Sequence, residues 1–363
     1  MEQRTKIIIA ITGNIATDQR MQRIATSLSK WHDVTLYYRQ YFKNESSKLS
    51  TTDYAFKCIS LNTKIKSGIL FYFIYNLKLI YKLIKCNTDV YNAVDSDTLM
   101  AFTFLSIIKR KPLVFDAHEF FKEVPELEKK TIKKWIWHNI TKLGVMQSKT
   151  CYTVSDSLAI ELTKEYQKRF EVIRNVPDKS EITENKFPVF TIIYQGALNK
   201  GRGLELLIKT IKNHHDICCI IAGEGDLSQQ LRWLSKGITN LNFVGLLSPL
   251  ELKKLTQQCH VGYNLLEPIG KSYKLSLSNK FFDYIQAEIP SISSEFIEYQ
   301  NLNNTYKTGV CIPFSQEKLN DMLVEMKNNT AYYNEFITNC KQAKNELNWG
   351  IEELKLKNIY LNF

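Results

Sequence analysis

The eight cysteines of this chain include no CxxC pair, and Cys218 and Cys219 stand together inside an apolar run. That pattern suits buried thiols in a reducing compartment and argues against a disulfide framework or a thiolate metal site. No secretory leader is legible either. The apolar stretch Ile7–Ile11 is too short for one and lacks a small-residue cleavage site, so the chain is expected in the cytoplasm. A transmembrane helix needs about 20 uninterrupted apolar residues, and the densest candidate, Ile65–Ile84, is broken by Asn76 and Lys78. The phosphate-loop spacing GxxxxGK[ST] is missing as well. Gly223-Glu224-Gly225 follows an apolar run, but Ser228 occupies the third glycine position of a dinucleotide fingerprint and no ribose-binding acid follows, which argues against NAD.

What is present is a globular composition. With 363 residues, 44% of them apolar, the chain exceeds one ordinary core, and two domains of roughly 150 to 200 residues are expected. A formal charge of +11 asks for a cause. No nucleic-acid-binding module is recognisable and the basic residues are scattered, so an anionic membrane face is the better candidate. It centres on Ile65–Ile84, which carries Lys66, Lys78 and Lys82, with Lys85 just beyond. The expectation set against it is a helix packed on a sheet with its lysines reaching outward.

The first half alternates strand and helix. Lys6–Thr12 reads as a buried strand, Gly13-Asn14 turns the chain, and Asp18 caps a helix with Met21, Ile24, Ala25 and Leu28 at helical spacing. Further strands are expected at Val34–Tyr38, Asp89–Val94, Leu113–Asp116 and Cys151–Val154, giving a parallel sheet whose ligands lie at the carboxyl ends of strands. His118 with Glu119 stands just past such an end. Asp95-Ser96-Asp97 has the form of a metal-binding DxD, but it closes a strand, and no metal is expected.

The second half repeats the logic after a linker at Lys186–Pro188. The strand Phe190–Gln195 runs into Gly196-Ala-Leu-Asn-Lys200-Gly201-Arg202-Gly203 and the helix Leu204–Lys212. Glycines there let backbone approach a phosphate, and the two cations add charge. Strands at Ile217–Ala222 and Leu241–Val244 follow, then a Ser248-capped helix. From Leu265 to Ser294 a polar loop with Lys271 and Lys274 leads to a helix that Ser278 caps and Pro290 stops. The open N–H groups of Asn279, Lys280 and Phe281 at its start, with the macrodipole and Lys280, form a place suited to phosphate. Asp283 lies one turn on, where its carboxylate can accept hydrogen bonds from sugar hydroxyls.

At these residues the chain resembles glycosyltransferase family 4, the retaining nucleotide-sugar enzymes of GT-B fold. The resemblance runs from DQR at Asp18–Arg20 through DAHE at Asp116–Glu119, VIRNVP at Val172–Pro177 and the Gly-Arg-Gly loop to the segment flanked by Glu267 and Asp283. It implies an α/β chain with two Rossmann-like, doubly wound parallel-sheet domains facing a cleft. Residues 1–187 would form the acceptor side and 188–347 the donor side, with a C-terminal helix at 348–363 crossing back. It further implies transfer of a hexose from a UDP- or GDP-sugar to a hydroxyl of a glycan or lipid-linked acceptor, without metal, in bacterial surface polysaccharide synthesis. His118, Glu267, Arg202 and Lys280 would carry catalysis. Gly13, Arg20, Gly196, Lys200, Gly201, Arg202, Gly223, Glu224, Phe243, Val244, Ser278, Asn279, Lys280 and Asp283 would hold the donor. The motif differs from the family's in its longer Glu267–Asp283 spacing, in Ser278 for proline, Asp283 for glutamate, Glu288 for glycine and Ala197 for arginine. Competing readings are a sugar-nucleotide epimerase of the same fold, a non-catalytic nucleotide-binding component of a polysaccharide assembly complex, and a nucleic-acid-binding protein.

Overall fold

A computed structural model describes residues 4–39, 54–65, 67–119, 131–270, 274–361 and 363. Lys66 and Lys271 lie outside the described residues. The chain divides into two units, Met1–Arg174 with Glu352–Phe363, and Asn175–Ile351. The division falls ahead of the Lys186–Pro188 stretch expected to be the linker. The C-terminal segment joins the first unit.

Among the described residues unit 1 holds seven strands: β1 (Lys6–Ala10), β2 (Asp33–Tyr38), β3 (Lys57–Ser60), β4 (Val90–Val94), β5 (Leu113–Ala117), β6 (Thr150–Thr153) and β7 (Phe170–Val172). They pair in parallel in the order β3-β2-β1-β4-β5-β6-β7. The order reverses between β1 and β4, and that switch point is where a crevice opens at the strand ends. The helices are α1 (Gln19–Ser29), α2 (Ile69–Leu83), α3 (Asp95–Lys109), α4 (Thr131–Gln147) and α5 (Asp156–Tyr166). Asp18 caps α1 by accepting a hydrogen bond from the Met21 N–H, and Met21, Ile24, Ala25 and Leu28 are buried.

Helix α2 only half follows the expectation of a packed helix with lysines outward. Phe71, Tyr75, Leu79 and Leu83 are buried, but the opposite side exposes Leu70, Phe73, Leu77 and Tyr81. Among the described residues no helix is long and apolar enough to cross a membrane.

Among its described residues unit 2 has six parallel strands: β8 (Thr191–Gln195), β9 (Cys218–Ala222), β10 (Leu241–Gly245), β11 (Val261–Asn264), β12 (Ser291–Ser294) and β13 (Gly309–Ile312). Their order is β10-β9-β8-β11-β12-β13, so the switch point lies between β8 and β11. Helices α6 (Leu204–Ile211), α7 (Ser228–Leu234), α8 (Pro249–Gln258), α9 (Asn279–Gln286), α10 (Ile297–Tyr306), α11 (Gln316–Asn328) and α12 (Thr330–Ala343) connect them, and α13 (Trp349–Tyr360) follows. Ser248 and Glu251 form a reciprocal capping box at α8.

Helix α9 ends as the missing glycine suggests. Glu288 adopts φ 54°, and the N–H groups of Glu288 and Ile289 donate to the carbonyls of Ile285 and Tyr284, a Schellman closure with glutamate at the left-handed position. That conformation costs a non-glycine residue about 1 kcal/mol. Glu288 is held by an ion pair with the mostly buried Lys344, which also donates to the Ser180 carbonyl.

Candidate functional site

The loops after β8 and β9 interlock through backbone atoms, and this is why glycine is required there. The Gly196 N–H donates to the Ala222 carbonyl, the Gly223 N–H to the Gly245 carbonyl, and the Leu198 N–H to the Glu224 carbonyl. At Gly223 φ is 141°, and a Cβ would stand 2.0 Å from the Gly196 carbonyl oxygen. Gly223→Ala therefore meets both strain and a backbone clash, and is expected to destabilise unit 2 by about 3 kcal/mol or more. Its melting transition, compared with wild type, checks this; a shift within error would mean the two loops separate freely.

Gly203, at φ 66°, precedes α6. A Cβ would meet the Leu265 carbonyl and the Tyr263 hydroxyl, each 2.8 Å away. That hydroxyl donates to the Gly203 carbonyl, and the Glu267 N–H donates to the Gly201 carbonyl at 3.0 Å. The β8 loop and the segment after β11 are thus stitched together. Arg202 lies in this loop, half-buried, while Lys200 is exposed.

Helix α9 begins beside them. Ser278 is its N-cap residue but does not cap it: its hydroxyl donates instead to Asn264 Oδ1 at 2.8 Å and accepts from the Tyr299 hydroxyl. This corrects the expected capping role. Asn264 is fully buried on β11 and must be satisfied, so it takes the serine hydroxyl and leaves the helix start without a side-chain cap. The next side chain, Lys280, is 8% exposed. Its ammonium lies 4.3 Å from the centre of the Tyr194 ring and close to Gly196, and donates to no hydrogen-bond acceptor among the described residues. Burial pushes its pKa well below the ordinary lysine value; the Arg202 guanidinium pushes the same way, and Asp283 opposes both. An almost buried cation, a second cation beside it and an uncapped helix start create an unbalanced positive potential.

Asp283 is half-buried and accepts a hydrogen bond from Gln195 Nε2 at 2.8 Å, while Gln195 Oε1 accepts from Thr256. Its carboxylate is thus positioned at the end of β8. Asn279 is exposed and accepts from Asn175. Glu224 pairs with Arg232, whose guanidinium covers the Phe243 ring at 4.8 Å; Val244 follows on β10, half-buried. The structure brings Gly196, Gly201, Arg202, Glu267, Lys280 and Asp283 to the switch point of unit 2, with Gly223 and Glu224 on the adjoining loop.

Unit 1 carries a second polar cluster at its own switch point. Arg20, expected among the donor-holding residues, is 4% exposed and fully engaged inside unit 1. It donates to Asp116 Oδ1 at 2.9 Å and to the Ile173 carbonyl at 2.8 Å, and its Nε lies 3.0 Å from His118 Nε2. Asp116 is fully buried, and its Oδ2 lies 3.0 Å from the same histidine nitrogen. Burial disfavours charge on His118, yet Asp116 and Asp95 outweigh it and raise its pKa to about 9. As imidazolium it donates Nε2–H to Asp116; once deprotonated there, it can accept from Arg20. Gly13 lies on the loop after β1, and its carbonyl accepts from the Arg39 N–H.

The two carboxylates of the DxD sequence open α3 rather than close β4, with Asp95 at φ 51°. Asp95 accepts from the His118 N–H, and Asp97 accepts from the Thr12 hydroxyl at 2.6 Å. Asp97 Oδ1 is buried without a partner among the described residues; burial and the neighbouring Asp95 raise its pKa to about 7. Among the described residues no group of three or more ligand-type side chains is placed to hold a metal.

Gln195, Asn264 and Tyr194 join the site without belonging to any of the motifs. Gln195 and Asn264 are polar residues at the ends of strands otherwise apolar, and that position is the signal that could have found them.

No protein-family model matches the chain, and no curated protein does. Solved structures match it over nearly its whole length. One is Anabaena Alr3699/HepE in complex with UDP and glucose, with TM-score 0.78 and 13% identity over 99% of this chain and 100% of that one. Another is sucrose-phosphate synthase from Thermosynechococcus elongatus, with TM-score 0.77 and 12% identity over 99% of both chains. A third is WaaG, a glycosyltransferase involved in lipopolysaccharide biosynthesis, with TM-score 0.70 and 14% identity over 98% of this chain and 100% of that one. The fold they share with this chain is GT-B: two Rossmann-like units, each built on a parallel sheet.

Proposed function

We propose that unit 2 binds the diphosphate of a nucleotide sugar and that the chain is a retaining, metal-independent glycosyltransferase. The observation that carries this reading is Lys280: a buried ammonium without an acceptor among the described residues, next to Arg202 and an uncapped helix start, at the strand ends where GT-B sheets change direction. A diphosphate supplies the missing negative charge. UDP is the favoured nucleotide, because Alr3699/HepE of the same fold was solved with UDP and with UDP-glucose.

In the proposed reaction the bond between the sugar's anomeric carbon and the β-phosphate oxygen breaks while a hydroxyl oxygen of the acceptor bonds to that carbon on the same face. The acceptor proton passes to the leaving phosphate. Arg202, Lys280 and the N–H groups at the start of α9 stabilise the charge gathering on the diphosphate. Asp283 and Glu267 orient the ribose and the sugar, and His118 of unit 1 serves the acceptor side. The acceptor is a glycan or a lipid-linked glycan, a reading supported by the lipopolysaccharide role of WaaG. The epimerase reading uses the same phosphate site and differs in the fate of the sugar.

The test is a thermal-shift series with UDP, GDP, ADP and their sugar conjugates, each with and without EDTA. A nucleotide at a hundred times its Kd adds about 2.7 kcal/mol. UDP or GDP is expected to stabilise the chain equally in both arms. If no nucleotide does, the diphosphate site is refuted, and stabilisation that EDTA abolishes refutes metal independence. Release of an isomerised sugar from donor alone would favour the epimerase.

A further inference from the structure

Half of the large apolar side chains exposed on the described residues belong to three consecutive helices of unit 1, α2, α3 and α4 with the cap of α2. These helices follow crossovers running the same way along the sheet, so they share one of its faces, and α2 packs on α3 as α3 packs on α4. On α2 the exposed row Leu70, Phe73, Leu77, Tyr81 recurs at spacings of three and four, one continuous stripe. On α3 it is continued by Phe104, Ile107 and Ile108, and on α4 by Ile132, Trp135, Leu143 and Met146. Scattered apolar residues need no explanation, but a contiguous layer of this size does.

The charge on the same helices has one sign. Neither α2 nor α4 contains a single Asp or Glu, and those of α3 are confined to its first turn, where His118 and Thr12 engage them. Exposed cations flank the stripes: Lys78, Lys82 and Lys85 along and after α2, Arg110 after α3, Lys142 on α4. A second copy of this face would bring the lysines of α2 and α4 against each other, and neither helix carries a carboxylate of its own to meet them. Anionic lipid meets both demands, since headgroup phosphates pair with the cations while aliphatic and aromatic side chains enter the acyl boundary. Tyr81 and Trp135 are residue types that settle at that boundary.

We propose that the α2–α3–α4 face docks the chain on an anionic bilayer. The inference stands on this face alone and survives or fails independently of the nucleotide site.

The experiment is sedimentation of the full chain with vesicles of phosphatidylcholine alone and of phosphatidylcholine with phosphatidylglycerol. Beside it runs the variant Phe73→Glu/Leu77→Glu/Trp135→Glu, checked for folding by its circular dichroism and melting transition. A control carries Leu250→Glu, exposed on unit 2. The wild type and the control are expected to bind the anionic vesicles, more weakly as salt screens the lysines. The triple variant is expected to bind at least roughly tenfold more weakly. Failure of the wild type to bind, or equal binding by the folded triple variant, overturns the proposal. So does a wild-type dimer in light scattering that the triple substitution disperses, because the face would then belong to a second copy.

Discussion

Lys280→Met is expected to make the ligand-free chain more stable and at the same time to weaken nucleoside diphosphate binding by about 10²-fold, with a turnover loss of at least the same order. The two effects have one cause. In the free protein Lys280 is 8% exposed, and its ammonium is repelled by Arg202 and has no acceptor among the described residues, so its charge is a liability that Asp283 only partly offsets. Methionine fills similar volume against Tyr194 with no charge to desolvate, and replacing a buried charge in this way gains on the order of 1 kcal/mol or more. With a diphosphate bound as proposed, the same ammonium is expected to make charge-assisted hydrogen bonds to it, each worth about 1.5 to 3 kcal/mol.

The pH dependence follows with its sign. The folded-state pKa of Lys280 lies below its unfolded value, so the unfolded chain binds the proton more tightly. Wild-type stability without ligand should therefore rise with pH through the interval between the two values, and Lys280→Met should lack that rise. Differential scanning calorimetry and titration calorimetry with UDP read both effects. Unchanged UDP affinity in the variant would remove Lys280 from the site, and a destabilised free protein would mean that the ammonium is held by something other than a ligand.

The parts of this architecture that could be read from the sequence are those where burial and local chemistry agree. The strands KIIIA, VYNAV and LVFDA are apolar because both faces of a parallel sheet are covered, and Asp18 and Ser248 cap their helices because nothing else competes for their oxygens. Illegible elements are those where tertiary pairing overrides composition. For β12 it is the burial, not the strand after Pro290, that cannot be read: SISS has no hydrophobic pattern, yet it is fully buried because Ser293 accepts from Asn264 and Ser294 bonds both backbone groups of Leu266. β3 and β7 are short edge strands with mixed exposure. The same competition explains the site. The lysine at the start of α9 can be read from the sequence, whereas the diversion of Ser278 to Asn264, which leaves that start uncapped, depends on a residue fourteen positions earlier that only the fold brings near. Arg20 reads as a ligand-binding arginine, but its guanidinium is taken up inside unit 1, where it shares the buried Asp116 of β5 with His118.

That shared carboxylate leads to the second large effect. Asp116→Asn keeps the shape of the side chain and removes its charge, leaving the buried guanidinium of Arg20 with one neutral carbonyl, one amide and His118 for company. Breaking a buried pair from one side costs about 3 to 5 kcal/mol, because the surviving charge stays desolvated. Removing both charges with Arg20→Met in the same chain should recover part of that loss, and the difference from additivity measures the coupling. A second signature separates this network from ordinary packing. His118 has its folded pKa raised to about 9 from an ordinary value near 6.5, chiefly because Asp116 and Asp95 outweigh its burial. Its contribution is complete below about pH 6.5 and is lost as pH climbs through 9, on the order of 2 to 3 kcal/mol. In Asp116→Asn one of the two carboxylates that hold the proton is gone, so the decline in stability across that interval should shrink. Hydrogen exchange of the β5 and β6 amides at pH 6 and pH 9, in wild type and variant, reads the local stability of unit 1. If Asp116→Asn exchanges as slowly as wild type at pH 6, the buried pair carries no net stability. If the variant is destabilised but keeps the full pH dependence, the proton of His118 is held by Asp95 alone.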